Sequence, residues 1–398
     1  MTKRLGFFGA VFLASALGTP IAPADLMGRV FSSDLDTAGP AFEVDDIIVS
    51  DPTDSLVDPE FDKNLASLRM AWQDRTGELW VAEVDPRTGT WSPPDGRQTL
   101  VDSGGFTISD TRQGPEWAYD DKGNRIVYTR EENGKPVLFQ ARQDLKTGDY
   151  RAERVADGES LSLAKASEDP QDPRPRITVS YADGANGVFR GWREIDDATT
   201  QTLLPADAVK IRWITGLRAL VGIREIRGID QVFSYSLDAG GVTQLTFDRT
   251  PKSFPVMWPD PATGRYLLAA SIADRHIGIW IRLRPGKWTF VKSLRPPTNI
   301  PYVYQLEPFI WKGASYLSYL MHTERSGKRQ NFTGTGEVWV TRVSGTGPFR
   351  HRQVNDPLVT RIKDPENLPV EDTVYIYYAE ILDSQNYRRL IHRAATGL

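Results

Sequence analysis

The feature that most constrains this chain is a unit that begins with a proline beside an acidic or aromatic residue. After a polar turn, it runs into an alternating, β-prone stretch. Its clearest copy is GPEWAYDDKGNRIVYTR, residues 114–130. Further copies read DPEFDKNLASLRMAWQD from Asp58, EDPQDPRPRITVSYAD from Glu168, IRWITGLRALVGIRE from Ile211, FPVMWPDPATGRYLLAAS from Phe254, EPFIWKGASYLSYL from Glu307 and DPENLPVEDTVYIYYAE from Asp364. Pro59, Pro115 and Pro170 are 56 and 55 residues apart, and Pro255, Pro308 and Pro365 are 53 and 57 apart. The 85 residues between Pro170 and Pro255 leave room for the copy around Trp213. Short alternating strands repeated at such a period cannot bury their faces singly and stack into a β-propeller.

Each unit reads as four antiparallel strands joined by hairpins, the Pro-x-Trp segment forming the innermost strand and the aromatic-rich run the second. Third strands such as Glu78–Val81 and Gln231–Ser234 run into DPRTGTW (85–91), DLKTGDY (144–150) or DAGGV (238–242). Thr-Gly and Gly-Gly there supply the positive φ that tight hairpins need. A last strand follows, as in Thr243–Thr246. No segment has capped helical periodicity, so little helix is expected. The seventh copy stops after its third strand, near RRLIHRA (388–394), and VDDIIVS (44–50) can supply the fourth. The expected fold is an all-β, seven-bladed propeller of four-stranded antiparallel blades, closed by an N-terminal strand so that no sheet edge is left to pair with other chains.

The chain opens MTKRLGFFGAVFLASALGTPIAPADL: two basic residues, an apolar run and the small-residue pattern Ala22-Pro23-Ala24. This is the layout of a secretory leader cleaved after Ala24. The expected organisation is leader 1–24, linker 25–40 and a single propeller domain over 41–398, exported to the periplasm or secreted. No later run approaches the ~18 apolar residues of a membrane span. With no cysteine, an exported chain must be held by its core alone. Loss of the leader takes two of the 48 basic residues, leaving 46 against 52 acidic ones, a net charge of −6. That balance excludes non-specific nucleic-acid binding, which needs a basic surface.

The stretches GPEWAYDDKGNRIVYTR, YSLDAGGVTQLTFDRT (235–250) and FPVMWPDPATGRYLL resemble the TolB-type propeller repeat, with its Pro-x-Trp strand, Asp-Gly turn and D-x-G-G…Q-L-T ending. The likeness extends over nearly the whole mature chain and implies the fold. It leaves the activity open, because propellers serve as binding proteins, scaffolds and hydrolases alike. TolB itself carries an additional N-terminal α/β domain, for which residues 25–58 leave no room.

Candidate site residues gather at the repeat prolines. Asp58 and Glu60, Glu116, Glu168 and Asp169, Glu307, and Asp364 and Glu366 all stand beside them. Ring closure sets copies seven, one and two side by side, which would bring Glu366, Glu60 and Glu116 into one sector. Clustered carboxylates can share protons and supply an acid and a base, as glycoside cleavage requires. They can equally hold a hard cation such as Ca²⁺, the one cofactor this pattern suggests. As a third alternative, they simply shape strand-start turns or line a wet channel. Asp-Pro and Glu-Pro strand starts also resemble those of five-bladed glycoside hydrolases, although the count of seven argues against membership. His276, His322, His351 and His392 have no metal-ligand spacing. They therefore do not match the histidine cluster of oligogalacturonate-type lyases, which are seven-bladed too.

His322 opens a long insertion, HTERSGKRQNFTGTG, in which Arg325, Lys328 and Arg329 suit an anion or a sugar acid. Tyr302 and Tyr304 suit stacking on a sugar ring or packing at the channel rim. The leading expectation is a binding module that takes a protein or an oligosaccharide on its loop-rich face, with Asp58, Glu168, Asp169, Glu307, Asp364, His322, Arg325, Tyr302 and Tyr304 as contacts. The alternative is a glycoside hydrolase using Glu60, Glu116 and Glu366, with Asp58 nearby.

Overall fold

In the computed structural model, residues 44–398 are described, except for 51–55, 63–67, 75, 95–96, 105–113, 121–122, 158, 162–177, 184–188, 196, 204–206, 326–333, 345–349, 360 and 384–387. For residues 57–58, 120, 123, 159–161, 178–183, 189–194, 197–203, 383 and 388, the backbone alone is described. The leader 1–24 and linker 25–40, together with Glu168, Asp169, Lys328 and Arg329, fall outside these residues. The described strands belong to one compact unit, Gly39–Leu398.

The described residues contain no helix and form seven antiparallel sheets, six of them four-stranded, in a propeller-like arrangement. The first sheet runs Val57–Phe61, Arg69–Gln73, Leu79–Val84 and Trp91–Ser92, with Thr99–Asp102 also beside Leu79–Val84. The second holds Glu116–Asp120, Gly123–Glu132, Lys135–Gln143 and Tyr150–Asp157. The third holds Glu159–Leu161, Thr178–Asp183, Phe189–Glu194 and Asp197–Leu203. Its first strand therefore precedes Pro170 rather than starting at that proline. The fourth holds Val209–Trp213, Ala219–Ile226, Ile229–Ser236 and Val242–Gln244, and the fifth Lys252–Asp260, Arg265–Ile272, His276–Arg284 and Lys287–Leu294. The sixth holds Tyr302–Trp311, Ala314–His322, Gly336–Arg342 and His351–Gln353. The seventh holds Ile362–Pro369, Val374–Asp383 and Arg388–Ala395, against which Asp46–Ile48 pairs antiparallel.

Burial explains the composition of the strands. A first or second strand is covered on both faces by the neighbouring sheets, so Lys252–Asp260 (KSFPVMWPD) and Ala314–His322 (ASYLSYLMH) are buried almost throughout. An outer strand such as Lys287–Leu294 has only its last residue buried and leaves Phe290 and Val291 exposed. The first strands of neighbouring sheets lie against one another: Ile362–Pro369 beside Val57–Phe61, and Val57–Phe61 beside Glu116–Asp120. Seams between sheets are filled by aromatic residues. Phe61 packs on Tyr377 at 4.3 Å, and Trp72 stacks on Trp91 at 5.0 Å within the core they share with the seventh sheet.

The outer hairpins follow the turn chemistry written in the sequence. Asp85 accepts the N–H of Arg87 on its side chain (2.9 Å) and that of Gly89 on its carbonyl (2.7 Å). Asp144 repeats the pattern with Lys146 and Gly148, both at 2.8 Å. Gly89 has φ +67°, and a Cβ there would meet the Tyr377 hydroxyl at 2.9 Å, which donates to the Gly89 carbonyl at 2.5 Å. One glycine thus allows both the turn and the close approach of the first and seventh sheets.

Polar hubs tie the seams where apolar packing ends. Asp62, fully buried, accepts from Arg69 (2.9 Å), Tyr119 (3.1 Å) and Asn124 (2.6 Å), while the Arg69 guanidinium covers Trp117 at 4.9 Å. At the N-terminal strand, His392 stands between Asp46 (Nδ1, 3.2 Å) and Glu380 (Nε2, 3.1 Å) and stacks on Tyr378 at 4.9 Å. Asp46 also accepts from the Tyr378 hydroxyl and from the Asp356 N–H (2.6 Å). A neutral imidazole has one N–H, so it would turn a lone pair toward one of its two carboxylates.

Burial by itself would lower the His392 pKa, but the hydrogen bonds and charges of Asp46 and Glu380 hold it above its ordinary 6.5. A pKa raised on folding contributes stability that is full below the unfolded value and lost as pH rises through the folded one. The expected outcome for His392→Gln is a loss of about 2 kcal/mol at pH 6 that shrinks as pH rises above 7. Thermal melts of both proteins across this range check it, and a difference that stays constant with pH would count against a protonated His392.

Candidate functional site

The repeat proline acquires a structural meaning in the first strands. Their pairing with the second strands slips between Val57 and Glu60, Val209 and Arg212, Ser253 and Val256, Tyr304 and Glu307, and Lys363 and Glu366. Each slip leaves two residues out of the ladder: Asp58-Pro59, Lys210-Ile211, Phe254-Pro255, Gln305-Leu306 and Asp364-Pro365. This is a β-bulge, and proline suits its second position because it has no N–H to leave unpaired. The Asp-Pro pairs therefore sit inside strands at a bulge rather than at strand-start turns. Lys210 (φ 51°), Phe254 (49°), Gln305 (48°) and Asp364 (51°) hold the first position in the left-handed region, which non-glycine residues adopt at a cost of about 1 kcal/mol each.

The bulge residues of neighbouring sheets reach one another. The Gln305 amide donates to Asp364 at 2.6 Å, and the Asp364 N–H donates back to its carbonyl oxygen at 3.1 Å. The Lys210 ammonium lies 4.1 Å from the centre of the Phe254 ring. Burial would raise the Asp364 pKa, yet the charges of Lys363 (3.0 Å) and Arg389 (3.9 Å) and the bonds from Lys363 and Gln305 hold it below the usual range. Asp364 is thus committed to tying the sixth and seventh sheets together.

Above the bulges of the fourth to sixth sheets, a polar cluster occupies the end of the molecule where first strands begin and second strands turn into third. Its centre is Asp274, in the turn joining Arg265–Ile272 to His276–Arg284. Asp274 accepts the Ser253 hydroxyl at 2.5 Å and the Arg325 guanidinium at 3.3 Å, and its carbonyl accepts the Val303 N–H at 2.9 Å. The Arg275 guanidinium lies over the Tyr302 ring at 4.4 Å and donates to its hydroxyl at 3.3 Å. Burial lowers the Lys210 pKa, against the opposing charges of Asp274 and Asp230. His322 is buried beside Tyr304, with ring centres 6.3 Å apart, and burial pushes its pKa down to about 4, so the imidazole is neutral at pH 7. Tyr304 is also fully buried, its hydroxyl donating to the Glu324 carbonyl at 2.9 Å. Tyr302, Arg275 and Arg325 keep exposed surface.

The glutamates beside the prolines are placed differently. Glu60, Glu116 and Glu366 are all buried, on three adjacent first strands. Directly across the ladder from them stand Ala71, Val127 and Tyr377. Ala71 packs with the second sheet, Val127 with Ile195 of the third, and Tyr377 with the first. Paired residues share a face, so each glutamate stands on the same face of its sheet as that apolar or aromatic partner. Glu307, at the equivalent position in the sixth sheet, forms an ion pair with Arg212 of the fourth at 2.6 Å. Among the described residues, no group of three or more His, Cys, Asp and Glu side chains is arranged to hold a metal ion. Of Asp58 only the backbone is described.

The structure therefore brings Tyr302, Tyr304, His322 and Arg325 together, as four neighbours of one cluster. Sequence reasoning missed its centre, Asp274, and its cations Arg275 and Lys210. A signal was present. The equivalent hairpins of the second and fourth sheets turn on Asn133-Gly134 and Arg227-Gly228, with both residues at positive φ. In the fifth sheet Ala273 (φ 51°) and Asp274 (φ 56°) take these conformations without a glycine. A strained side chain where sister turns keep glycine marks a position held for its chemistry.

No protein-family profile and no curated protein matches the chain. Solved structures match at low identity. An oligogalacturonate lyase from Vibrio parahaemolyticus is 9% identical, with TM-score 0.52 over 88% of this chain and 93% of its own. A TolB-annotated structure from Agrobacterium tumefaciens is 14% identical over 61% of this chain and 82% of its own, TM-score 0.39. A lectin solved with alpha methyl fucoside is 15% identical over 77% of this chain and 97% of its own, TM-score 0.40. At these identities the likeness is one of fold alone, that of a β-propeller.

Asp364→Asn tests the bulge tie, because asparagine tolerates the left-handed conformation and removes only the charge. With Lys363 and Arg389 left uncompensated, the expected loss is about 1–3 kcal/mol at pH 7 in denaturant unfolding. A carboxylate pKa depressed on folding adds stability that is present above the unfolded value of 3.8 and lost as pH falls through the folded one, so variant and parent converge in acid.

Proposed function

We propose that this chain is an exported, seven-bladed propeller, closed by strand Asp46–Ile48, that acts as a ligand-binding module. Its ligand is an oligosaccharide, taken on the face where the connections of the fourth to sixth sheets gather. The observation that carries this reading is the convergence of Lys210, Asp274, Arg275, Tyr302 and Arg325 from three consecutive sheets at one end of the molecule. Strands hold the roots of Lys210 and Tyr302, the others stand on connections that leave strand ends, and Tyr302, Arg275 and Arg325 keep exposed surface, as a binding face on a scaffold requires. A tyrosine ring beside planar guanidinium groups offers both a stacking surface and directional donors, the two means by which a sugar is held. The buried Tyr304 and His322 support this surface from below.

Export is supported by the leader pattern, and it places the ligand outside the cytoplasm. N-terminal sequencing of the exported protein is expected to begin at Asp25. For the ligand, a glycan-array screen of the mature chain is expected to give saccharide binding that Tyr302→Ala weakens by about tenfold or more while the melting temperature stays within a few degrees. Binding that survives Tyr302→Ala would move the site elsewhere. A protein partner captured through the same face, with no saccharide bound, would replace the oligosaccharide.

A further inference from the structure

The charges at this face say what kind of saccharide it suits. Three cations surround one carboxylate: Arg325 pairs with Asp274 at 3.3 Å, while Arg275 and Lys210 lean on aromatic rings, Tyr302 at 4.4 Å and Phe254 at 4.1 Å. Among the described residues, no carboxylate pairs directly with Arg275 or with Lys210. An exposed guanidinium resting on an aromatic ring can turn its remaining N–H groups toward the two oxygens of an acid group. Lys210 is half-buried, where an approaching anion is screened less by water than at the open surface, and it already carries the desolvation that lowers its pKa. Asp274 is itself occupied, since the Ser253 hydroxyl and Arg325 share its oxygens, while Asp230 acts on Lys210 and Glu324 on His322 through their charge.

Resting on the oligosaccharide reading above, we propose that this face selects an anionic oligosaccharide, with Arg275 and Lys210 receiving the acid groups and Tyr302 the sugar ring. Asp274 is a positioning residue. It holds Arg325 at the rim and docks the turn that carries Arg275 onto the start of Tyr302–Trp311 through the Val303 N–H. This role gives a reason for a side chain in the left-handed turn position that glycine fills in the sister hairpins. The mature chain as a whole is acidic, so the attraction is local to this face rather than a general affinity for anions.

Calorimetric titration of the mature protein with size-matched oligouronate, sulfated and neutral oligosaccharides tests the proposal. Binding of an acidic series, with the neutral series at least about tenfold weaker, is the expected result, and about 0.5 M salt should erode the difference. A stronger response to sulfate than to carboxylate, or the reverse, supports the shared chemistry and identifies the acid group. Arg275→Gln and Lys210→Met should each weaken acidic binding roughly tenfold with unchanged melting temperature, and Arg87→Gln, on an exposed turn of the first sheet, should not. Equal binding of neutral and acidic sugars that still depends on Tyr302 overturns the anionic preference and leaves the oligosaccharide reading standing. No binding of any saccharide overturns both.

Discussion

The candidate face depends on the bulge in the first strand of five sheets. By dropping two residues from the ladder and turning one of them left-handed, the bulge re-aims a side chain that a regular strand would bury in the seam. Lys210, Phe254, Gln305 and Asp364 occupy this position in four consecutive sheets, and they meet across the sheet boundaries as a cation on a ring and an amide on a carboxylate. A strained conformation persists only where its surroundings over-determine it, and these side-chain contacts are part of what does so. The same bulges seat the strand starts under the Asp274 cluster.

Stability and recognition are divided between different residues of similar chemistry. Buried carboxylates, such as Asp62 beneath Arg69, Asp364 between Gln305 and Lys363, and Asp46 against His392, lock sheet to sheet. At one end, Arg275 rests on Tyr302 and keeps exposed surface, with no carboxylate paired to it among the described residues. Removing a partner from the first group leaves a buried charge, whereas removing a side chain from the second leaves water in its place. Acidic residues that look alike in the sequence therefore differ in what they do.

Much of the architecture was legible from local pattern. The apolar run at 266–270, the Asp-x-x-Thr-Gly turns at 85–89 and 144–148 and the aromatic run at 374–378 all depend on neighbours in sequence, and each appears where the pattern put it. The third sheet was misread because its first strand, Glu159–Leu161, is short and precedes Pro170, so the proline did not mark the strand as it does elsewhere. The Pro-x-Trp segments were read as innermost strands, but one alternative gave the Asp-Pro pairs to strand-start turns, whereas Asp58-Pro59 and Asp364-Pro365 sit inside a strand. A missing N–H favours both places equally, and only the pairing register tells them apart. The cluster was half legible: Tyr302, Tyr304, His322 and Arg325 stood out by type, but Asp274 and Arg275 lay in what looked like an ordinary hairpin turn.

By itself, the sequence determined the repeat, the all-β character and the hairpin turns, because these follow from spacing, β-propensity and turn chemistry within about fifty residues. It also set out every acidic residue beside a repeat proline, without sorting them. Which acids are buried in seams, which one anchors a turn and which cations are left without a carboxylate partner was decided only by the tertiary structure. The physical reason is that those outcomes depend on contacts between sheets, such as Ser253, Val303 and Arg325 on Asp274. Neighbours in space, far apart in the chain, determine whether a charge is paired, and no local pattern records them.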